Sequence, residues 1–247
     1  MKSNENVRSK YDYVKRFCNG FARVILNDKY GFVNKNLEEI TSIKYDWVGD
    51  FKNGFAIVKL NGKFGFINEE GEEITPIQYG EARNFYSGFA LVKLNGKYGF
   101  INEKGEQITP IKYDNAWEFE DGFAIISLNG KCGVINKNGE EITPIKYDDV
   151  WCFEGGFTIV ESNGKQGLIN ESGKEITPIK YDDVGYIYNG FARVKLNDKY
   201  GFVNENGEEI TQLKYDDAKC FENGFAKVFL EGEWIFIDET GQEVERK

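Results

Sequence analysis

Apolar and polar residues follow one another along the chain in a pattern that returns every 34 residues. A typical copy runs from Gly88 to Asn102, GFALVKLNGKYGFIN, in which two apolar runs flank the dipeptide Asn95-Gly96. Asn-Gly between two runs of strand-forming residues is a strong signal for a two-residue hairpin turn. The pattern therefore predicts an antiparallel β-hairpin, and its return predicts a chain built from one repeated module.

The copies follow one another without insertion or deletion. Seven copies fill residues 10–247, which predicts one repeat domain there, and the polar residues 1–9 are predicted to form an N-terminal arm. We number the repeats 1 to 7, starting at residues 10, 44, 78, 112, 146, 180 and 214. The leading glycines of the hairpins are Gly20, Gly54, Gly88, Gly122, Gly156, Gly190 and Gly224.

The turn fixes which side chains share a face of the hairpin. Pairing across Asn61-Gly62 places Ile57 opposite Phe66 and Val58 opposite Gly65. Successive residues of a strand point to opposite faces, so both faces carry apolar side chains and both need cover. The predicted faces hold Phe55, Ile57, Phe64 and Phe66 on one side, and Ala56, Val58, Gly65 and Ile67 on the other.

A third strand is predicted after each hairpin. In repeat 1 it covers Glu38 to Tyr45, with apolar positions at Ile40 and Ile43. A proline stands inside this segment in four repeats, at Pro76, Pro110, Pro144 and Pro178. Proline has no N–H to give to a neighbouring strand, so the segment is predicted to lie at the outer edge of its sheet.

These elements predict an all-β fold of seven antiparallel meander repeats. The two ends of the repeat array are in phase, which favours a seven-bladed, β-propeller-like ring. The alternative is an open superhelical solenoid of β-hairpins, because the outer repeats deviate as the ends of open arrays do. The deviating residues are Leu37, Ser42, Gln212 and Ile235.

Three motifs in repeats 3 and 4 resemble the bacterial WG repeat, also called the KWG repeat: Gly96 to Asn102, Ile111 to Asp114 and Phe119 to Ala124. The similarity runs from Tyr11 onward. Among the copies the tryptophan of the Trp-Gly pair is kept as Trp234, where Ile235 replaces the glycine. The resemblance implies a β-rich repeat with an interaction role, and it brings no catalytic residues.

The charge and the residue types limit the chemistry. The net charge is −10, which opposes nonspecific binding to nucleic acid or to an anionic membrane. The sequence contains no histidine and no phosphate-binding Gly-rich loop, so we expect no catalytic, metal or cofactor-binding residues. An N-terminus without an apolar run predicts a cytoplasmic protein, with export as the alternative.

The four cysteines are predicted to be free thiols. Cys152 and Cys220 hold the same place two repeats apart, too far for a disulfide between stacked modules. Cys132 stands where other copies carry an aromatic residue, so we expect a buried packing residue there.

A Tyr-Asp pair opens six of the repeats, as at Tyr45-Asp46, whereas Gly80 breaks the series. The aspartates could form a carboxylate ring for a cation or an acid–base pair. We favour the structural alternative, in which each carboxylate accepts backbone N–H groups in a turn.

The segment after Tyr-Asp differs most between the copies. Positions that must pack stay alike, so this segment is predicted to face solvent or a partner. Trp117 and Trp151 hold equal places in adjacent repeats and could form an aromatic patch, although each could instead cover the joint between repeats. The predicted partner-binding rim consists of Trp47, Tyr86, Trp117, Trp151, Tyr186 and Tyr188.

These residues favour a noncatalytic scaffold that binds an unidentified protein partner. The alternative is a carbohydrate-binding, lectin-like module, in which Trp117 and Trp151 stack on a glycan.

Overall fold

A computed structural model of the chain describes residues 10–245, which form strands and turns and contain no helix. That part therefore has no helix that could cross a membrane. The predicted arm, residues 1–9, lies outside the described residues, as do residues 246–247. The chain divides into unit 1, residues 1–119 with 137–139, and unit 2, residues 120–136 with 140–247. The single repeat domain stays a prediction.

Each repeat contributes a two-residue strand and a hairpin of two six-residue strands. The two-residue strands are β1 (Tyr13–Val14), β4 (Trp47–Val48), β7 (Glu81–Ala82), β10 (Asn115–Ala116), β13 (Asp149–Val150), β16 (Asp183–Val184) and β19 (Asp217–Ala218). The first hairpin strands are β2 (Phe21–Leu26), β5 (Phe55–Leu60), β8 (Phe89–Leu94), β11 (Phe123–Leu128), β14 (Phe157–Ser162), β17 (Phe191–Leu196) and β20 (Phe225–Leu230). The second hairpin strands are β3 (Lys29–Asn34), β6 (Lys63–Asn68), β9 (Lys97–Asn102), β12 (Lys131–Asn136), β15 (Lys165–Asn170), β18 (Lys199–Asn204) and β21 (Glu233–Asp238), and β22 (Glu243–Val244) follows them.

The strands form small antiparallel sheets. Unit 1 holds β1-β2-β3, β4-β5-β6 and β7-β8-β9, together with strand β10. Unit 2 holds the hairpin β11-β12, the sheets β13-β14-β15 and β16-β17-β18, and the four-stranded sheet β19-β20-β21-β22. The all-β fold of antiparallel meander repeats is confirmed. Its arrangement as a propeller-like ring or as an open solenoid stays a prediction.

The hairpin register is the predicted one. In sheet β4-β5-β6, Ile57 pairs with Phe66 and Val58 pairs with Gly65. Asn61 and Gly62 of the turn have φ values of 50° and 77°, the positive values that the tight hairpin turn requires.

In repeats 1 to 6 the third strand lies on the other edge of the hairpin from the one predicted, whereas in repeat 7 the short strand β22 pairs with β21 on the predicted edge. Residues 38–45 touch the second hairpin strand at the isolated bridges Val33↔Glu39 and Tyr30↔Tyr45 and form no strand. The third strand is the two-residue strand after Tyr-Asp, which pairs with the first hairpin strand, as Trp47 does with Lys59.

A buried threonine explains why residues 38–45 can leave the sheet. The hydroxyl oxygen of Thr41 accepts the backbone N–H of Phe32 at 3.0 Å, so the side chain replaces the missing strand partner. A buried N–H without an acceptor costs free energy, and the threonine removes that cost. The same bond joins Thr75 to Phe66, Thr109 to Phe100, Thr143 to Val134, Thr177 to Leu168 and Thr211 to Phe202.

The apolar core lies between the sheets of successive repeats. Phe66 of repeat 2 packs against Tyr79, Phe85 and Val92 of repeat 3. On the other face of the same sheet, Val58 packs in a cluster with Phe32 of repeat 1. Both faces of the hairpin are therefore covered, as predicted. In unit 2, repeats 5 and 6 pack in the same way, with Leu168 against Tyr181, Val184 and Val194.

A glycine turn brings the backbones of successive repeats together. A Cβ atom on Gly105 of repeat 3 would lie 2.0 Å from the carbonyl oxygen of Ile74 in repeat 2. The φ of Gly105 is +78°, a value that side chains other than glycine rarely adopt. Corresponding glycines meet the carbonyl of the preceding repeat at Gly71, Gly139, Gly173, Gly207 and Gly241.

This contact predicts the effect of Gly105→Ala. The added methyl group must displace the carbonyl of Ile74, so the free energy of unfolding should fall by the left-handed φ penalty of about 1–2 kcal/mol and by a similar cost of overpacking. Gly96→Ala is the matched control, because Gly96 has a φ of +82° and open space around its Cα. Chemical denaturation of both variants measures the difference; equal losses would contradict the close approach.

The threonine bond predicts the effect of Thr109→Val. Valine has nearly the same shape but no acceptor, so the buried N–H of Phe100 loses its partner. The free energy of unfolding should fall by about 1–3 kcal/mol. Thr109→Ser keeps the acceptor and should recover part of that loss. If the Thr109→Val variant were as stable as the wild type, the threonine hydroxyl would not hold this segment.

Candidate functional site

The aspartates of the Tyr-Asp pairs hold hairpin turns. Asp46 Oδ2 accepts the backbone N–H of Asn61 at 2.6 Å, and Lys29 Nζ of repeat 1 lies 2.6 Å from Asp46 Oδ1. The hydrogen bond from Lys29 lowers the pKa of the Asp46 carboxyl, and the N–H of Asn61 lowers it further. The favoured structural role is confirmed, but the bond reaches a turn 15 residues further on instead of closing a local turn.

Asp148 and Asp182 in unit 2 make the same contacts. They accept N–H groups of Asn163 and Asn197 and pair with Lys131 and Lys165. Their oxygens are thus engaged in joining repeats. Across residues 10–245 there is no group of three or more histidine, cysteine, aspartate or glutamate side chains placed to hold a metal ion.

Buried tyrosines form a second recurring contact, a hydrogen bond to a glutamate. The hydroxyl of Tyr45 donates to Glu73 at 3.2 Å, and Lys44 Nζ lies 2.8 Å from the same glutamate. Burial is the largest cause of the raised pKa of Tyr45, followed by the charge of Glu73. Burial, followed by the hydrogen bond to Glu39, raises the pKa of Tyr11 to about 12. These phenols stay neutral at physiological pH and serve as donors inside the fold.

The cysteines are free thiols, as predicted. Cys132 is buried, and burial is the largest cause of its raised pKa, with Asp149 and Asp148 adding to it. Its predicted role in packing is confirmed by its place in the core of unit 2.

Exposed aromatic residues concentrate in the segments after Tyr-Asp. We call these the variable segments: residues 12–18, 46–52, 80–86, 114–120, 148–154, 182–188 and 216–222. Within residues 10–245 the exposed large apolar side chains are Tyr13, Phe17, Trp47, Tyr86, Trp117, Tyr188 and Trp234. All but Trp234 belong to variable segments. Four of them belong to the predicted rim, with exposed fractions of 41% for Trp47, 53% for Tyr86, 46% for Trp117 and 56% for Tyr188.

The other two rim residues, Trp151 and Tyr186, are half-buried in unit 2. Both pack against the core cluster between repeats 5 and 6, which includes Ile159 and Leu168. The hydroxyl of Tyr186 donates to the carbonyl oxygen of Cys152 at 3.3 Å, and burial raises its pKa. Trp151 thus covers the joint between two repeats. Its pairing with Trp117, which belongs to unit 1, stays a prediction.

Trp47 borders a recess of unit 1. The recess is lined by Asp46, Trp47, Lys59, Gly62 and Phe64. Sheet pairing places Trp47 opposite Lys59 and Lys59 opposite Phe64, so the three side chains form one row across the sheet. The indole meets the Phe64 ring edge to face, with centroids 6.5 Å apart, and Lys59 Nζ lies 5.0 Å from the centre of that ring.

Gly49 sets the position of the Trp47 indole. Atom Cη2 of Trp47 lies 3.3 Å from the place where a Cβ on Gly49 would be. The indole therefore lies along the sheet and leaves one side exposed. Sequence reasoning named Trp47 but missed Lys59 and Gly49. The available signal was the lysine that recurs at Lys59, Lys93 and Lys195, two residues before each turn.

A second recess of unit 1 lies beside Tyr86. It is lined by residues of three repeats, including Asn53, Ile57, Arg83 and Glu118. Arg83 Nη1 lies 3.5 Å from Glu118 Oε1, so the one arginine in this recess already faces a carboxylate. This recess provides mixed polar and apolar walls next to an exposed tyrosine.

A comparison with protein families decides the identity of the repeat. A family model described as the WG containing repeat matches residues 4–30, 30–64, 64–98, 98–132, 133–165, 167–200 and 200–234. The chain belongs to the WG-containing repeat family. No curated protein matches this sequence.

Solved structures give weak likenesses. PorZ, a surface component of the type-IX secretion system of Porphyromonas gingivalis, has 7% identity and a TM-score of 0.33, over 95% of this chain and 37% of PorZ. This chain thus spans just over a third of the PorZ chain. A eukaryotic initiation factor has 12% identity and a TM-score of 0.38, over 87% and 70% of the two chains. Hsv2p of Kluyveromyces lactis has 13% identity and a TM-score of 0.34, over 92% and 95%.

The structure gives a reason for the glycine of the WG pair. A Cβ on Gly99 would lie 2.8 Å from Ile111 Cγ1 and 3.1 Å from the carbonyl oxygen of Pro110. The segment that leaves the sheet after Thr109 returns across this glycine, so a larger residue has no room. The residue before it is half-buried at Phe64 and Tyr98, buried at Cys132 and exposed at Trp234, so this position accepts several residue types.

The different burial of two tryptophans at equal positions predicts different effects of alanine. Trp151→Ala removes contacts with the core between repeats 5 and 6, and the free energy of unfolding should fall by about 2 kcal/mol or more. Trp117→Ala, at a side chain 46% exposed, should cost less than about 1 kcal/mol. Equilibrium denaturation of the two variants is the measurement, and equal losses would contradict the packing role of Trp151.

Proposed function

We propose that this WG-repeat chain is a noncatalytic scaffold that binds a protein partner through the exposed aromatic residues of its variable segments. The observation that carries the proposal is the concentration of exposed aromatics in these segments, including Trp47, Tyr86, Trp117 and Tyr188. Tyrosine and tryptophan are enriched at protein interfaces and often supply most of the binding energy.

The fold supports the proposal because different residues serve packing and binding. The strands that form the hairpins bury their side chains between repeats, as Phe66 and Val58 do. The variable segments are attached to that frame by backbone hydrogen bonds, such as the one from the N–H of Arg83 to the carbonyl of Leu91. Their side chains can therefore differ between repeats while the backbone stays in place.

The charges support a noncatalytic role and a protein partner. The aspartates of the Tyr-Asp pairs already hold lysines and turn N–H groups, as Asp46 does with Lys29 and Asn61. The net charge of −10 opposes nucleic acid and anionic membranes as partners. A protein surface that is neutral or basic over most of its contact area fits best.

An affinity experiment tests the proposal. The wild-type chain, immobilised, should retain a saturable protein partner from an extract of its source cells. A variant with alanine at Trp47, Tyr86, Trp117 and Tyr188 should lose that partner. Trp234→Ala is the matched control, because Trp234 is similarly exposed but lies on strand β21, outside the variable segments.

Two outcomes would contradict the proposed scaffold function. One is retention of the same partner by the fourfold variant while its melting temperature is unchanged. The other is the absence of any saturable protein partner. In that second case, glycan binding that is lost on replacing Trp47 and Trp117 would favour the carbohydrate-binding alternative, because exposed indoles also stack on sugars.

A further inference from the structure

Three repeats carry a lysine at the same place on the first hairpin strand, and two of these lysines have a carboxylate partner. Lys93 Nζ lies 2.8 Å from Oε1 of Glu81, the residue opposite it on strand β7. Lys195 Nζ lies 2.9 Å from Oδ1 of Asp198 in the turn of its hairpin. The pattern pairs each ammonium group with an acid from its own repeat.

Repeat 2 lacks both kinds of acid. Trp47 stands where repeat 3 has Glu81, and Gly62 stands where repeat 6 has Asp198. In the described part of the chain, Lys59 makes no ion pair, and its ammonium group lies over the ring of Phe64 instead. The acid that lines the recess, Asp46, is held by Lys29 and by the N–H of Asn61.

The recess therefore combines two aromatic rings with an uncompensated positive charge. A cation over an aromatic ring can still accept a carboxylate from another direction, and an ammonium group shielded by rings gains more from such a pair than one in open water. The exposed side of the indole offers apolar contact area next to that charge.

Resting on the proposed scaffold function, we infer that the recess of Trp47, Lys59 and Phe64 binds a partner-protein segment that presents a carboxylate next to a large apolar side chain. The carboxylate takes the place that Glu81 has beside Lys93, and the apolar side chain packs on the Trp47 indole. The partner supplies in trans the acid that repeat 3 carries in cis.

The chain offers a variant that should remove the site without harming the fold. Trp47→Glu places a glutamate opposite Lys59, as Glu81 stands opposite Lys93 in repeat 3, where the two side chains form an ion pair. Lys59 would then be paired within the chain and closed to a partner. Lys59→Gln removes the charge, and Lys93→Gln is its matched control in repeat 3.

The converse variant should create a site. Glu81→Trp combined with Arg83→Gly removes the acid from Lys93, places an indole beside Tyr98, which already lies under the ammonium group at 4.7 Å, and supplies the glycine that Trp47 has in Gly49. A chain carrying both changes should bind two copies of a ligand that the wild-type chain binds once.

The test selects peptides from a random twelve-residue display library on the full wild-type chain, and measures the enriched peptides by fluorescence anisotropy. Enriched peptides should carry aspartate or glutamate within two positions of tryptophan, phenylalanine or leucine. Trp47→Glu and Lys59→Gln should each weaken binding about tenfold or more, the scale of one lost charged contact. Lys93→Gln should leave it unchanged, Glu81→Trp with Arg83→Gly should double the stoichiometry, and raised salt should weaken binding.

Three results would contradict binding at this recess: no peptide is enriched, the enriched peptides lack acidic residues, or Trp47→Glu binds them as well as the wild type does. A separate result distinguishes loss of this binding site from loss of the scaffold function. A cellular partner retained by Trp47→Glu but lost by alanine at Tyr86, Trp117 and Tyr188 would keep the scaffold and remove this recess as its site.

Discussion

Direct contact between the backbones of successive repeats is the constraint on which the structure depends. The turn at Gly105 lies against the carbonyl of Ile74, so close that a single methyl group has no room. Contacts this close fix the distance and the register between modules, and the apolar faces then meet in one way. The same contact recurs once in each of repeats 2 to 7, which is consistent with modules of equal length and with the unvarying interval of 34 residues.

Most of the recurring residues follow from that constraint. Thr109 supplies the acceptor that lets the connecting segment leave the sheet, and Gly99 gives that segment room to return. Asp46 links the turn of its own hairpin to a lysine of the preceding repeat. Because packing and hydrogen bonding use these positions, recognition falls to the variable segments, where side chains differ without disturbing the frame.

The hairpins could be predicted from the sequence because Asn61-Gly62 selects one turn and thereby one register. The third strand could not, since a threonine side chain takes the place of a strand partner, and that exchange has no signal in the pattern of apolar positions. Within the candidate site, Trp47 was accessible to sequence reasoning as a variable aromatic. The role of Lys59 was not, because an ammonium group without an acid is recognised only once the opposite residue and the turn residue of each repeat are known. Trp151 shows the same limit, since it packs against a core cluster that Tyr181 and Val184 of the next repeat help to form.

The central claim is that one repeat cannot hold its fold without neighbours, and amide hydrogen exchange of a single repeat tests it most directly. A peptide covering residues 78–111 contains a full hairpin but lacks the residues of repeats 2 and 4 that would cover it. The backbone amides of this peptide should exchange at the rates of an unfolded peptide, while the same amides should be strongly protected in the full chain. Protected hairpin amides in the isolated peptide would contradict it.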